Sequence, residues 1–354
     1  MVLSAYLIKA PYWLAWQYMR LFKKLDDIVF YIDSEHDYFL IENVLPYIEK
    51  PYKIVARNKK VSGKLRQKGV KVSAWPAFPR LLIMTRHAFH RFPINIVKKI
   101  GMRHGPYHFK KMIHPDKYNA FDLFLFTSEV EVEKAQSKGI KSGVSGGYPR
   151  LDVFKREDTI AFSEKIKNSE TFDEQKAAVL FTATWDKSGL SAVDKWIYHL
   201  PALVSKYNVF VSLHPMMSEN YIRMVKSVKG IQYVQAEELP AYMLASDYLI
   251  SDTSSVIAEY CALNKAVITF NVNIGGRLTP EISEMIRDVS ISIESVDQID
   301  NAIEEYILNP ELKKNERERW NKIFFDDIDV SHGEKAARHI NDFIKSNYNS
   351  NLIP

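Results

Sequence analysis

One cysteine, Cys261, stands in 354 residues, so no internal disulfide is available to this chain. No apolar run reaches the roughly 18 residues that a bilayer-spanning helix needs. The start of the chain shows no basic n-region, apolar h-region and small-residue cleavage site in succession. These absences predict a reducing, cytoplasmic setting in which any membrane contact is peripheral. Acids are also missing from one long window. Between Lys50 and Pro115 there is no Asp or Glu, yet 17 of the chain's 48 basic residues lie there. The rest of the chain then carries 31 basic against 43 acidic residues, so the net charge of +5 conceals a strong dipole. A one-signed block of this length points to an anionic partner, whether nucleic acid, acidic lipid or a phosphorylated substrate. The plain alternative is a solvated basic face.

What is present is the material of a substantial core: 46% hydrophobic residues against 26% charged, enough for two domains of ordinary size. Residues 1–24, MVLSAYLIKAPYWLAWQYMRLFKK, combine Tyr and Trp with four basic residues, and the first acid is Asp26. That is the composition of a helix lying in a headgroup layer. It equally suits a helix that buries its aromatic rings against its own domain. Pro11 is expected to break or restart it.

Short apolar runs follow, separated by amphipathic or turn-rich pieces: DIVFYID, YKIVAR, RLLIMT, FDLFLFTS and SGVSGGYP. A second series repeats the rhythm with AAVLFTATW, NVFVSLHP, IQYVQ, DYLISDTSS and AVITFNV. Strands alternating with helical patterns predict an α/β chain of two doubly wound, Rossmann-type domains facing a cleft. The divisions expected are an N-terminal segment over 1–24, an acceptor domain over 25–155, a nucleotide-donor domain over 175–330, and a C-terminal helix and tail over 331–354. The polar piece FKREDTIAFSEKIKNSETFDEQK between the series reads as a helix plus linker. No internal repeat or low-complexity segment is visible.

Five places carry chemistry. In DYLISDTSSVIAEYCAL an apolar strand runs into Ser251, Asp252, Thr253, Ser254 and Ser255 and then into a helical pattern. Hydroxyls and free N–H groups at a helix start, on the carboxyl edge of a parallel sheet, form an anion site. Plain N-capping is the alternative, but it needs one such residue where five stand in a row. Glu259, one turn on, is placed to meet a ribose hydroxyl. His214 follows the strand NVFVSL directly and so belongs on the same rim, where an imidazole donates to a phosphate oxygen or protonates a leaving group. Arg150 follows a Gly-Tyr-Pro turn at the end of the first series, and Thr184 sits in TATW at a strand end of the second. The fifth place is GMRHGPYHFKKM, where Arg103, His104, Gly105, Lys110 and Lys111 cluster inside the acid-free block. His104, His108 and His114 invite a zinc site, but surrounding cations and the absence of carboxylates argue against any metal.

Taken in order, HGP at His104, GYPRLD at Gly147, TATW at Thr182, LHP at Leu213 and SDTSSV at Ser251 resemble the motifs of the CDP-glycerol glycerophosphotransferase family, the teichoic-acid primases and polymerases. The terminal HGEKAARHINDFI is similar to the family's closing helix, so the resemblance spans roughly residues 100 to 345. It departs at Pro106, at the residues before His214, at Thr253, and over NVNIGGRLTPE. The resemblance implies a GT-B fold without metal or other cofactor, attached to the inner face of the cell membrane near a lipid-linked acceptor. It implies transfer of glycerol phosphate or ribitol phosphate from a CDP-alditol to an acceptor hydroxyl, with release of CMP, in cell-wall or capsule polymer synthesis. In that chemistry His104 is the general base. His214, Ser251, Asp252, Thr253, Ser254 and Ser255 hold the donor pyrophosphate with Arg150 and Thr184, and Glu259 holds the ribose. The anionic acceptor, lipid-linked or polymeric, meets Arg103, Gly105, Lys110 and Lys111, and the basic surface meets anionic lipid. A conventional GT-B glycosyltransferase using a nucleotide-sugar is the competing reading. Binding of nucleic acid is disfavoured because no nucleic-acid motif accompanies the charge.

Overall fold

The computed structural model describes residues 3–103, 105–106 and 114–349. Two compact units emerge. The first takes in the described residues of 3–105, 114–150 and 329–349, and the second those of 151–328.

The first unit is built on a wholly parallel seven-stranded sheet. Its strands are β1 (Asp26–Ile32), β2 (Lys53–Ala56), β3 (Ser73–Ala74), β4 (Pro79–Met84), β5 (Lys98–Met102), β6 (Leu123–Phe126) and β7 (Gly143–Ser145), in the spatial order β3-β2-β1-β4-β5-β6-β7. The run DIVFYI forms β1 with five consecutive buried residues, as expected for a strand covered on both faces. Register is unambiguous: Phe30 pairs with Ile54 on one side and Ile83 on the other.

The second unit repeats the plan with six parallel strands: β8 (Ala178–Ala183), β9 (Asn208–Leu213), β10 (Ile231–Tyr233), β11 (Tyr248–Ser251), β12 (Ala266–Phe270) and β13 (Ser290–Ile293), ordered β10-β9-β8-β11-β12-β13. All six residues of β8 and all six of β9 are buried. The order of each sheet reverses once, between β1 and β4 in the first and between β8 and β11 in the second. Such switch points open a crevice at the carboxyl ends of the strands.

Three segments sit where their residues alone did not say. The helix Leu3–Leu21 runs through Pro11 without interruption, contrary to the break expected there. Pro11 is exposed, and the turns beyond it are held by tertiary bonds: Tyr12 Oη donates to Ala77 O (2.6 Å) and Trp16 Nε1 to Pro79 O (2.9 Å). The helix Glu157–Lys167 belongs to the second unit, with Phe162 meeting Tyr242 edge to face at 6.2 Å between ring centroids. The closing helix His332–Asn349 returns to the first unit and buries Ala336, Ala337, Ile340 and Ile344 among Ile28, Phe30 and Ile32. Among the described residues no helix is long and apolar enough to cross a membrane.

Candidate functional site

At the switch point of the second unit, β8 is followed by Thr184, and β11 ends at Ser251 and is followed by Asp252, Thr253 and Ser254. Asp252 is buried and accepts from Thr184 N–H (3.0 Å to each oxygen), Thr184 Oγ1–H (2.7 Å), Ala192 N–H (3.0 Å) and its neighbour Thr253 N–H. Burial pushes the carboxyl above its ordinary range, and these N–H and O–H donors pull it back. Each of these contacts is a donor, so the carboxylate acts as the knot that ties the β8 loop to the end of β11. Ser251 is likewise turned inward, its hydroxyl 2.8 Å from that of Thr182.

The hydroxyls of the next residues continue outward from this knot, with Thr253 still buried and its Oγ1 3.3 Å from Leu190 O. Thr184 Oγ1 lies 3.1 Å from Thr253 Oγ1, forming a short ridge across the crevice, and Ser254 and Ser255 are half-buried beyond it. Ser255 occupies the N-cap of the helix Val256–Cys261 but makes no capping hydrogen bond, so plain capping is not what its side chain does. Glu259 is buried in that helix.

His214 follows β9 directly, two strands from β11, and is exposed on the same carboxyl edge. Met216 N–H donates to its Nδ1 (3.1 Å), which places the proton of the neutral ring on Nε2. Neighbouring loops are stitched to one another. Ser218 N–H and Oγ–H donate to Asp186 (3.1 and 2.6 Å), and Arg277 Nη1 donates to Ser188 O (2.9 Å). Arg277 lies against Gly189, whose φ of +68° and missing Cβ leave room for the guanidinium. A cavity of about 430 Å³ opens beside Thr253, walled by Phe270 at the end of β12, Leu278 in the loop beyond it, and Ile286 and Arg287 on the helix Pro280–Val289.

Other expected site residues fall on the first unit. Arg103 directly follows β5 with its guanidinium 3.5 Å from Tyr118 Oη, and burial pushes it below its ordinary range. Gly105 is half-buried with open space where a Cβ would stand. His104, Lys110 and Lys111 lie outside the described residues. Arg150 stands on the turn Pro149–Lys155 within reach of His36, and His36 and Arg86 were not singled out by sequence. The signal that finds them is position: Arg86 is the second residue after β4 and His36 the fourth after β1, the two strands that flank the switch point of their sheet.

The CDP-Glycerol:Poly(glycerophosphate) glycerophosphotransferase family matches residues 98–275, half of the chain, and so spans β5 to the loop after β12. The teichoic acid poly(ribitol-phosphate) polymerase of Bacillus spizizenii is 25% identical over 213 residues, covering 54% of this chain and 32% of the polymerase. The teichoic acid glycerol-phosphate primase of Bacillus subtilis is 28% identical over 167 residues, 44% of this chain and 41% of the primase. This chain thus spans well under half the length of either relative. Among solved structures, the wall teichoic acid polymerase TagF soaked with CDPG superimposes with a TM-score of 0.65 at 15% identity, over 92% of this chain and 90% of that one. The UDP-GlcNAc 2-epimerase of Neisseria meningitidis does so with a TM-score of 0.62 at 12% identity, over 90% and 100%. Likeness at these identities shows the fold, which is the two-domain GT-B type.

Proposed function

This chain belongs to the CDP-glycerol:poly(glycerophosphate) glycerophosphotransferase family, and from that premise we propose that it transfers an alditol phosphate from a CDP-alditol to the hydroxyl of an anionic acceptor. The observation that carries the proposal is the Thr184–Asp252–Thr253 knot at the switch point of the second unit, which falls inside the family match. A carboxylate that is internally satisfied fixes two strand ends, and so sets where Ser254 and Ser255, just beyond the Thr184–Thr253 contact, meet a pyrophosphate.

In the reaction the acceptor oxygen attacks the β-phosphorus, the bond from that phosphorus to the bridging oxygen breaks, and CMP leaves with the electron pair. His104 takes the proton of the acceptor hydroxyl. His214 Nε2–H donates to a phosphate oxygen as negative charge grows, and the hydroxyls near Thr253 share that role. Phosphoryl transfer is accelerated mainly by positioning and electrostatics, which is what such a rim supplies. Mass spectrometry of products from a panel of CDP-alditols and nucleotide-sugars tests this. CMP with an acceptor heavier by one alditol phosphate is the expected result. UDP or GDP with an acceptor heavier by one sugar would replace phosphotransfer by glycosyl transfer.

The acceptor is a poly(alditol phosphate) or a lipid pyrophosphate, and the helix Leu3–Leu21 brings the enzyme to it at the inner face of the cell membrane. That helix docks through Tyr12 and Trp16, while Trp13, Leu14, Tyr18 and Leu21 remain exposed, with Phe22 just beyond them. Lys9, Arg20, Lys23 and Lys24 flank this apolar face. Aromatic and aliphatic side chains rimmed by cations match a shallow headgroup-layer contact with anionic lipid.

A further inference from the structure

We infer that Arg86, Arg150 and His36 form an oxyanion site at the switch point of the first sheet, and that it takes a phosphate group of the acceptor. The inference rests on the acceptor reading above for the identity of its ligand, and on the first unit alone for its geometry.

His36 lies on the first turn after β1, and Arg86 is the second residue after β4. These strands are neighbours in space and carry the reversal of strand order, the place where open parallel sheets bind ligands. Arg150 follows β7 at the far edge of the sheet, yet the chain doubles back. Tyr148 N–H donates to His332 Nδ1 (3.1 Å) and Asn43 Nδ2 donates to Pro149 O (2.8 Å), which ties the residues just before Arg150 to the segment that follows the helix Glu35–Ile41, the helix that holds His36.

The arginine at the centre is held by a buried acid. Asp37 is fully buried and accepts from Asp33 N–H (3.1 Å), Ser34 N–H (2.7 Å), Ser34 Oγ–H (3.0 Å) and Arg86 Nε–H (2.8 Å). Arg86 therefore spends only Nε on Asp37. Its two terminal nitrogens have no partner among the described residues, and the side chain is 41% exposed. A guanidinium oriented by a buried carboxylate, with its outer fork open, is preorganised for bidentate capture of a phosphate. Beside it, Thr85 is 5% exposed and its buried hydroxyl has no partner among the described residues. His36 is pushed below its ordinary range first by burial, then by the charge of Arg150, with Asp37 opposing and Arg86 adding to the effect. Both arginines thus act on one imidazole, which stays neutral near pH 7 and offers a donor without adding a third charge.

The test uses the full chain with CMP present at saturation, so that the donor site is occupied. Calorimetry measures binding of a tri(glycerol phosphate) oligomer and, separately, of inorganic pyrophosphate. Binding of the oligomer marks a polymer acceptor, and binding of pyrophosphate alone marks a lipid pyrophosphate. Arg86→Gln and Arg150→Gln are each expected to weaken whichever probe binds by about 10- to 100-fold, the worth of a hydrogen bond to a charged group, while CMP affinity holds in Arg86→Gln. Unchanged probe affinity in a folded Arg86→Gln protein overturns the site. If that variant does not fold, unchanged affinity in Arg150→Gln overturns it. A fall in CMP affinity in Arg86→Gln also overturns it, by moving the cluster to the donor. Wild-type protein that binds CMP but neither probe refutes this site and leaves the donor reading standing. Binding of a probe without CMP binding does the reverse.

Discussion

Asp252 accepts both the backbone N–H (3.0 Å) and the hydroxyl (2.7 Å) of Thr184, across the one place where the second sheet reverses its strand order. A single carboxylate thereby sets the spacing of two loops that frame the proposed donor site. Replacing Asp252 by Ala leaves the N–H groups of Thr184 and Ala192 buried without acceptors. Each hydrogen bond to a charged group is worth about 1.5 to 3 kcal/mol, so the expected loss of stability is several kcal/mol, read as a lowered denaturation midpoint. Thr184→Val is the milder companion, since it removes the hydroxyl and keeps the backbone bond. It should cost about 1 to 2 kcal/mol and weaken CMP binding through the ridge with Thr253. Wild-type CMP affinity in a folded Thr184→Val protein would show that the ridge frames the site without touching the donor.

Gly147 and His332 form a comparable joint in the first unit. Gly147 has φ +76°, and a Cβ there would lie 2.5 Å from His332 Nδ1. Gly147→Ala combines backbone strain of about 1 to 3 kcal/mol with a clash against the ring that accepts Tyr148 N–H. The expected outcome is loss of several degrees in the melting temperature, with increased proteolytic access to the closing helix. Unaltered melting would mean that the 147–150 turn relaxes freely, and Arg150 would then not be held in place by this joint.

The two histidines proposed for the reaction should separate kinetically. His104→Ala is expected to lower transfer by about 10² or more, the contribution of a general base, with CMP affinity nearly intact. His214→Ala is expected to weaken CMP binding, because the proposal gives its Nε2–H a phosphate oxygen to bond. Parallel measurements of turnover and of CMP affinity by calorimetry give the comparison. Equal loss of both quantities in His104→Ala would move that residue to the donor subsite.

Much of this was legible in the sequence for identifiable reasons. Uninterrupted apolar runs such as AAVLF and NVFV announce strands buried on both faces, and the Ser/Thr/Asp cluster after DYLI announces a polar strand end. The strand KKIGM was hidden because two lysines and a glycine mask its burial. Lys99 reaches Ile94 O (3.0 Å) and Val97 O (2.8 Å) with its ammonium, and Gly101 is required where the Phe124 ring presses on the backbone. Nor could local pattern show that Ser251 and Asp252 face inward, since that depends on Thr182, Thr184 and Ala192, some sixty residues away. The pairing of His36 with Arg86 and Arg150 escaped for the same reason: only the strand order and the returning turn bring them together.

The structure also changes how membrane attachment has to be tested. Deleting residues 1–24 would strip Tyr12 and Trp16 from the first unit, where Tyr12 stacks near Phe78 at 5.3 Å between ring centroids and Trp16 is fully buried. Loss of binding in such a truncation would not distinguish membrane contact from unfolding. The outward face can be changed alone. Trp13→Ser combined with Leu14→Ser and Leu21→Ser removes exposed apolar area without touching the docking pair, so the melting temperature should hold within a few degrees. Sedimentation with phosphatidylglycerol vesicles should fall sharply, because burial of apolar surface contributes about 25 cal/mol per Å² and the remaining attraction is electrostatic. Added salt should then release most of what still binds, since each Lys or Arg near an anionic leaflet contributes only about 1 kcal/mol and is screened. Transfer to a soluble acceptor should survive throughout. If the triple variant sediments like the wild type at every salt concentration, this helix face is not the membrane contact, and the acid-free block from Lys50 to Pro115 would have to carry attachment by charge alone.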